Sequence, residues 1–194
     1  MCTHLPRGGN EEKQWQKGKD TKRGKLDFGH TFELMQYLQI LEEGRHKKKA
    51  NKKQVQKLRQ MNPRQLDDKA HKAHDEAFEE IDCLKCANCC KTTSPGMKER
   101  DVERLANHLR IRPSAVIEAY MHLDSDGDYV FKSAPCPFLG ADNYCSVYES
   151  RPAACREYPH TNRKRFQQIL NLSLKNTEVC PAVVRVFDKL RENH

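Results

Sequence analysis

The segment Cys83-Leu84-Lys85-Cys86-Ala87-Asn88-Cys89-Cys90 constrains this chain more than any other. Four thiols fall within eight residues, spaced C-x2-C-x2-C-C, and four more follow at Cys136, Cys145, Cys155 and Cys180. Thiolate is a soft, strongly donating ligand that suits Zn²⁺ and iron–sulfur centres. A C-x2-C step lets two sulfurs converge on one ion from a single tight turn. A tetrahedral thiolate site takes four sulfurs, so eight can fill two sites. The adjacent pair Cys89-Cys90 points the same way. Neighbouring side chains diverge, which favours two centres, or one larger polynuclear cluster, over a single small ion.

Disulfides are the competing use of so many cysteines. The count is odd, nine with Cys2, and no secretory signal is evident, which weighs against a disulfide framework. Residues 1–27 contain no long apolar run, and no stretch of the chain approaches the roughly 18 apolar residues that a membrane span needs. The expectation is a cytoplasmic protein without a membrane partner, in which reduced, clustered thiols bind metal. Composition adds to this. Mean hydropathy is -0.93, 32% of residues are charged and only 7% are aromatic. Such a chain builds a thin core, and small modules with thin cores need staples, of which metal is one. The fold class expected is mainly helical: a small metal-stapled domain with at most one short β-hairpin, behind an N-terminal extension.

Three regions can be drawn. Residues 1–30 lack apolar periodicity and read as a disordered tail that includes Cys2. Met35 is a second candidate start. Residues 31–62 read as a basic helical extension. A helix is expected over 32–43, with Gly44 as its stop. The run from Arg45 to Arg59 then holds eight Lys or Arg and no Asp or Glu. It suits either a nucleic-acid contact or a solvated helix face. No aromatic residue interleaves with the charges to stack on bases, so the solvated face is the preferred reading. Formal net charge is +8, which by itself speaks to solubility and encounter rather than function.

Residues 63–194 read as the cysteine-cluster domain. Asn62-Pro63 supplies an N-cap and a first-turn proline. Leu66, Ala70, Ala73, Ala77 and Ile81, with Phe78, recur at helical spacing over about five turns. His71 and His74 are read as exposed residues of that helix. Two shorter helices are expected, one over 98–109 and one from Pro113 that runs through Met121. Asp124-Ser125-Asp126-Gly127-Asp128 lacks the calcium-loop pattern, because the positions for Gly and Glu hold Tyr129 and Pro135. It reads as a turn into a strand at 129–132, with 143–148 as the expected partner. Prolines at 135, 137, 152 and 159 place the downstream cysteines on loops or element ends. A helix is expected over 163–174, and Cys180-Pro181 opens the last one.

Two cluster chemistries fit the spacing. C-x2-C-x2-C with a distant Cys-Pro, offered by Cys136-Pro137 and Cys180-Pro181, resembles ferredoxin-type ligation of a [4Fe–4S] cluster. Zinc accepts the same C-x2-C knuckles. Spacing leaves both open.

The spaced blocks carry a family resemblance. Cys83-x2-Cys86-x2-Cys89-Cys90 is followed by Cys136-Pro-Phe-Leu and by Tyr144-Cys145-x2-Tyr148-x2-Arg151-Pro152. Cys155-Arg156 and Tyr158-Pro159 complete the series. Together they resemble the CxxCxxCC family of zinc- or iron-chelating domains, the YkgJ-type cysteine cluster proteins, over about residues 81–181. The resemblance implies metal ligation by Cys83, Cys86, Cys89, Cys90, Cys136, Cys145, Cys155 and Cys180. It assigns no catalytic residue and no oligomeric state.

Arg151, Arg156 and Tyr158 stand beside the implied ligands. Thiolate sites accumulate negative charge, which nearby guanidinium or N–H groups offset. Arg151 could equally anchor its loop through backbone carbonyls. Lys91 and Arg156 flank candidate ligands and are expected to favour thiolate. The function expected is metal binding through these eight thiolates, to zinc or to an iron–sulfur cluster. The alternatives are a cluster-dependent redox or methyl-transfer enzyme, and a metal-stapled nucleic-acid accessory protein contacting its target through 45–59. Surplus sulfur favours closed sites over the three-ligand open site of catalytic zinc.

Overall fold

The computed structural model describes residues 28–192, with side chains from residue 35 onward. Most of the tail read at 1–30, and Cys2, lie outside the described residues. In chain order the helices are α1 (Phe28–His46), α2 (Lys48–Leu58), α3 (Pro63–Glu80), α4 (Cys83–Cys86), α5 (Asn88–Thr92), α6 (Glu99–Leu109) and α7 (Pro113–Tyr120). A hairpin of β1 (Met121–Leu123) and β2 (Tyr129–Phe131) follows. Then come α8 (Ala153–Glu157), α9 (Leu170–Asn176) and α10 (Pro181–Glu192), with short 3-10 turns at Tyr148–Ser150 and Phe166–Ile169. The protein is mainly helical with one short hairpin among the described residues. Among the described residues, no helix is long and apolar enough to cross a membrane.

Helix α10 organises the first of two apolar cores. Ala182, Val183, Val184, Val186, Phe187 and Leu190 are all buried. The helix packs most extensively on α3 and then on α1. The sequence of α3 explains the fit. Asn62 accepts the N–H groups of Arg64 (3.0 Å) and Gln65 (3.4 Å) and so starts the helix ahead of Pro63. Ala70, Ala73 and Ala77 on its buried face keep that face low and admit the bulkier side chains of α10. Tyr37 and Ile40 of α1 and Val55 and Leu58 of α2 join the same core. Ion pairs rim it: Lys189–Glu80 at 2.7 Å, Lys47–Asp188 at 3.0 Å and Arg185–Glu43 at 3.2 Å. Half-exposed pairs of this kind contribute about 0–1 kcal/mol each, so the apolar contact sets the packing.

The basic run is therefore a helix with two faces. Asn51, Gln54, Val55 and Leu58 are buried, and Gln54 donates to the Phe187 carbonyl at 2.9 Å. Lys48, Lys49, Lys52, Lys53 and Lys57 lie on the exposed face.

The second core is formed by Met97, Val102, Leu105, Ala106, Val116, Met121, Phe131, Phe138 and Val147. It joins α6, α7, the hairpin and the loop that follows. In the hairpin, Met121 pairs with Phe131 and Leu123 with Tyr129. The strand at 129–131 thus pairs with the segment before it rather than with 143–148, and Met121 belongs to a strand rather than to the preceding helix. The turn chemistry is the reason. Asp124 Oδ1 accepts the N–H groups of Asp126 (2.9 Å) and Asp128 (3.0 Å), and Gly127 takes φ +82°. That closes the chain back on its nearest neighbour. The later segment instead makes a single bridge, Leu139 to Cys145.

Two other expectations are corrected. The helix expected over 163–174 starts late: Arg165 adopts a left-handed conformation (φ 59°), and its N–H and that of Phe166 both donate to the Asp67 carboxylate at 2.8 Å. A 3-10 turn follows, and the α-helix begins at Leu170. Gly44 does not stop α1, which continues to His46. Gly44 is instead where α1 meets α10. A Cβ placed there would lie 2.7 Å from Val184 Cγ2 and 3.0 Å from the Thr177 carbonyl oxygen. Gly44→Ala should therefore destabilise the fold by about 1–3 kcal/mol through overpacking, against the small gain that Gly-to-Ala gives in an unobstructed helix. Denaturant unfolding of the purified variant measures this, and equal or greater stability would show that α1 and α10 can separate freely.

Candidate metal centre

The cysteine segment folds as two short helical turns around one reversed residue. The Asp82 side chain accepts the Leu84 N–H at 2.9 Å and starts α4, with Cys83 and Cys86 at its two ends. Ala87 is buried and left-handed (φ 46°), with its N–H on the Cys83 carbonyl at 2.8 Å. This reversal ends α4 and launches α5, which carries Cys89 and Cys90. Their Sγ atoms lie 4.0 Å apart. Adjacency in sequence thus does not throw the two sulfurs as far apart as neighbouring side chains usually stand, because the short helical turn holds both near the same surface.

Three hydrogen bonds tie the knuckle to distant chain. Asn88 Nδ2 donates to the Val179 carbonyl at 2.7 Å, which brings Cys180 and the start of α10 alongside α5. The Cys136 N–H donates to the Cys90 carbonyl at 2.8 Å. Asn143 Nδ2 donates to the Lys85 carbonyl at 3.1 Å. The result is one cavity of about 1080 Å³ lined by Cys83, Cys86, Cys89, Cys90, Cys136, Cys145, Cys155 and Cys180. It lies between the two cores, with Tyr37, Phe78 and Ile81 on one wall and Phe131, Phe138 and Val147 on the other. No disulfide joins any of the eight cysteines. Among the described residues, no group of three or more His, Cys, Asp or Glu is already gathered in metal-holding geometry. The donors line a shared space rather than closing on a point. The set nonetheless suits a soft metal: eight sulfurs, buried or half-buried, between apolar walls.

Helix α8, which carries Cys155, is fixed by a buried carboxylate. Asp101 of α6 accepts the Ala153 N–H (2.9 Å), the Lys98 N–H (3.1 Å) and the Arg104 guanidinium. Arg104 also donates to the Arg151 carbonyl at 3.0 Å, as does Arg156 at 2.6 Å. Burial alone would raise the Asp101 pKa, but the two N–H groups and Arg104 outweigh it and hold the carboxyl below its ordinary value.

The thiols behave in the opposite way. Burial is the largest influence on Cys136, pushed up to about 11, and on Cys155, pushed up to about 12. Burial also leads for Cys86 and Cys145. For Cys89 the hydrogen bond with Cys90 leads and burial follows, and both raise it well above the ordinary thiol value. Lys91 opposes the rise at Cys86, and Arg151 opposes it at Cys145 and Cys155. The cations thus act in the expected direction, but at these five thiols desolvation and thiol–thiol contact leave the net shift upward.

Arg151 does two things at once. Its Nε donates to the Tyr148 carbonyl at 2.7 Å, and its guanidinium carbon sits 3.3 Å from the centre of the Tyr148 ring. Anchoring the loop and facing the thiols are the same placement. Arg156 braces the Arg151 carbonyl. Tyr158 packs against the first core and lines the cavity. Burial raises its pKa most, followed by the charges of Cys180, Cys89, Cys83 and Cys86.

His74 is corrected outright. It is buried, with Nδ1 2.7 Å from Thr161 Oγ1 and its ring stacked near Phe78. His71 is half-buried, its Nε2 3.3 Å from the Arg163 carbonyl. The segment after the cis Tyr158-Pro159 bond packs on α3 at this point, a tertiary contact that periodicity cannot show. Asn88, Asp101, Asn143 and His160 also shape the site and were not singled out from sequence. Asp101 had a legible signal as an acid in the first turn of a helix. Asn88 and Asn143 had none, because their partners lie far along the chain, and no motif marked His160, whose contacts are with Glu157 and Tyr158.

The CxxCxxCC family model, that of the putative zinc- or iron-chelating domain, matches residues 82–181. The chain belongs to this family. No curated protein and no solved structure matches it.

Asp101→Ala should cost about 1–3 kcal/mol, the range for hydrogen bonds to a buried charge. The sign with pH follows from the depressed native pKa. The stabilisation is full above the unfolded value near about 3.9 and is lost as pH falls through the native value. The stability gap between wild type and variant should thus be constant from neutral pH to about pH 5 and close in stronger acid. Urea titrations across that range would show it, and a gap that widens in acid would exclude the assignment.

Proposed function

We infer that the protein is a thiolate metal-binding protein, whose cavity holds zinc or an iron–sulfur centre through Cys83, Cys86, Cys89, Cys90, Cys136, Cys145, Cys155 and Cys180. One observation carries this: eight cysteines spread from 83 to 180 line a single cavity. Membership of a zinc- or iron-chelating family supports it. A bound metal would supply positive charge to a space where burial otherwise keeps thiols protonated, so metal entry and proton loss go together. The polypeptide's part is to enclose the donors, exclude water and set the field through Arg151 and Lys91. Arg156 and Tyr158 support that field from behind, one by bracing the Arg151 carbonyl and one by packing against the cavity. With sulfur in surplus, the sites are closed and the metal is structural, carried or redox-active rather than an open Lewis acid. A cytoplasmic setting, where thiols stay reduced, suits this chemistry.

The test is elemental analysis with a visible spectrum on anaerobically purified full-length chain. Zinc in a colourless protein, or iron with broad visible absorbance, is the expected result. Metal-free folded protein with all the cavity thiols open to a thiol reagent would overturn the proposal. Zinc titration into the apoprotein should release close to one proton per thiolate engaged, read by calorimetry in buffers of different ionisation enthalpy; no release would mean that sulfur is not the ligand. Chelation should also lower helicity and protease resistance across the domain, because the cavity lies between both cores. Unchanged resistance after complete metal removal would exclude a stapling role.

A further inference from the structure

We propose that the eight thiols are sorted into two adjacent four-sulfur sets, Cys83, Cys86, Cys89 and Cys180 in one and Cys90, Cys136, Cys145 and Cys155 in the other, divided between Cys89 and Cys90. This rests on the metal-binding reading above and deepens it. The division follows the fold. Cys86 and Cys180 belong to the α3–α10 core, whereas Cys136 and Cys145 pack against the second core. Separate hydrogen bonds draw each group to the knuckle. The Asn88 to Val179 bond sets the start of α10 beside α5 on one side. The Cys136 to Cys90 bond sets the 136–145 loop on the other, and the Leu139–Cys145 bridge folds that loop so that Cys145 returns beside Cys136. Cys155 joins the second group because Asp101 and Arg104 pin α8 to α6, a helix of the second core.

Apart from Cys90, electrostatic neighbours agree with this partition. The thiols that act on Tyr158 are Cys180, Cys89, Cys83 and Cys86. Those that act on Cys155 are Cys90, Cys136 and Cys145. Cys90 stands at the seam: it also acts on Cys86, and its sulfur is 4.0 Å from that of Cys89. Its place in the second set rests on its carbonyl, which accepts the Cys136 N–H at 2.8 Å, since as a thiol neighbour it is foremost for members of both sets. One set thus fastens the knuckle to the first core and the other fastens it to the second.

Pairwise substitution in the full chain tests the sorting. Metal per chain would be measured for wild type, C83S, C180S, C136S and C155S, and for the within-set pairs C83S/C180S and C136S/C155S and the between-set pair C180S/C155S. Each single variant should retain about half of the wild-type metal. Each within-set pair should lose no more than its singles, and the between-set pair should lose nearly all. Circular dichroism and zinc titration of each variant distinguish a lost site from a lost fold. For any variant that fails to fold, Cys→Ala at the same position, supplemented with zinc during refolding, repeats the comparison. Loss of all metal in every single variant would overturn the sorting in favour of one polynuclear centre. Equal losses from within-set and between-set pairs would overturn it as well. Metal-free wild type is a different result, since it removes the metal-binding reading itself.

Discussion

The structure depends on gathering thiols where burial strips away much of their water. Desolvation is the foremost influence on Cys86, Cys136, Cys145 and Cys155, ahead of the charges of Lys91 and Arg151 that oppose it. An enclosed thiol with a raised pKa is a poor anion and a poor nucleophile, but it becomes a strong ligand once a cation replaces its proton. The apolar walls of the cavity belong to two different cores. The same arrangement therefore controls donor chemistry and determines which parts of the chain a bound metal would join.

The two cores differ in how far they can support themselves. The first is a helical layer in which the alanine face of α3 receives a continuous apolar helix, with α1 brought close at Gly44. The second is smaller, built from two short helices, a hairpin of three-residue strands and a loop. Small cores of this kind are marginal without an additional constraint. The knuckle at 83–90 touches both, and its hydrogen bonds through Asn88, Asn143 and the Cys90 carbonyl lie between them. A metal bound there would constrain the part of the molecule with the least apolar area of its own.

Much of this was legible in the residues. The Asn62-Pro63 start, the buried face of α3, the final helix after Cys180-Pro181, the mainly helical class and the family all follow from local pattern. Capping, proline placement and period 3.6 act within a few residues of each other. The errors share a physical origin. Glycine weakens helices, so pattern makes Gly44 a stop, yet its role is close approach to Val184. Helical spacing puts His74 on an exposed face, yet Thr161 and Phe78 cover it. Strand 129–131 pairs with the segment before it because the Asp124 turn is a hairpin turn. In the first two cases the deciding partner lies far along the chain.

The sequence alone determined the kind of chemistry available, because four thiols at knuckle spacing with four more downstream admit few uses. It also determined where helices begin. Only the tertiary structure decided that all eight sulfurs share one cavity, which core each group leans on, and that burial outweighs the nearby cations. The reason is range. Ligand type and helix caps are set by residues a few positions apart. A cavity and its dielectric are set by every segment that packs around it.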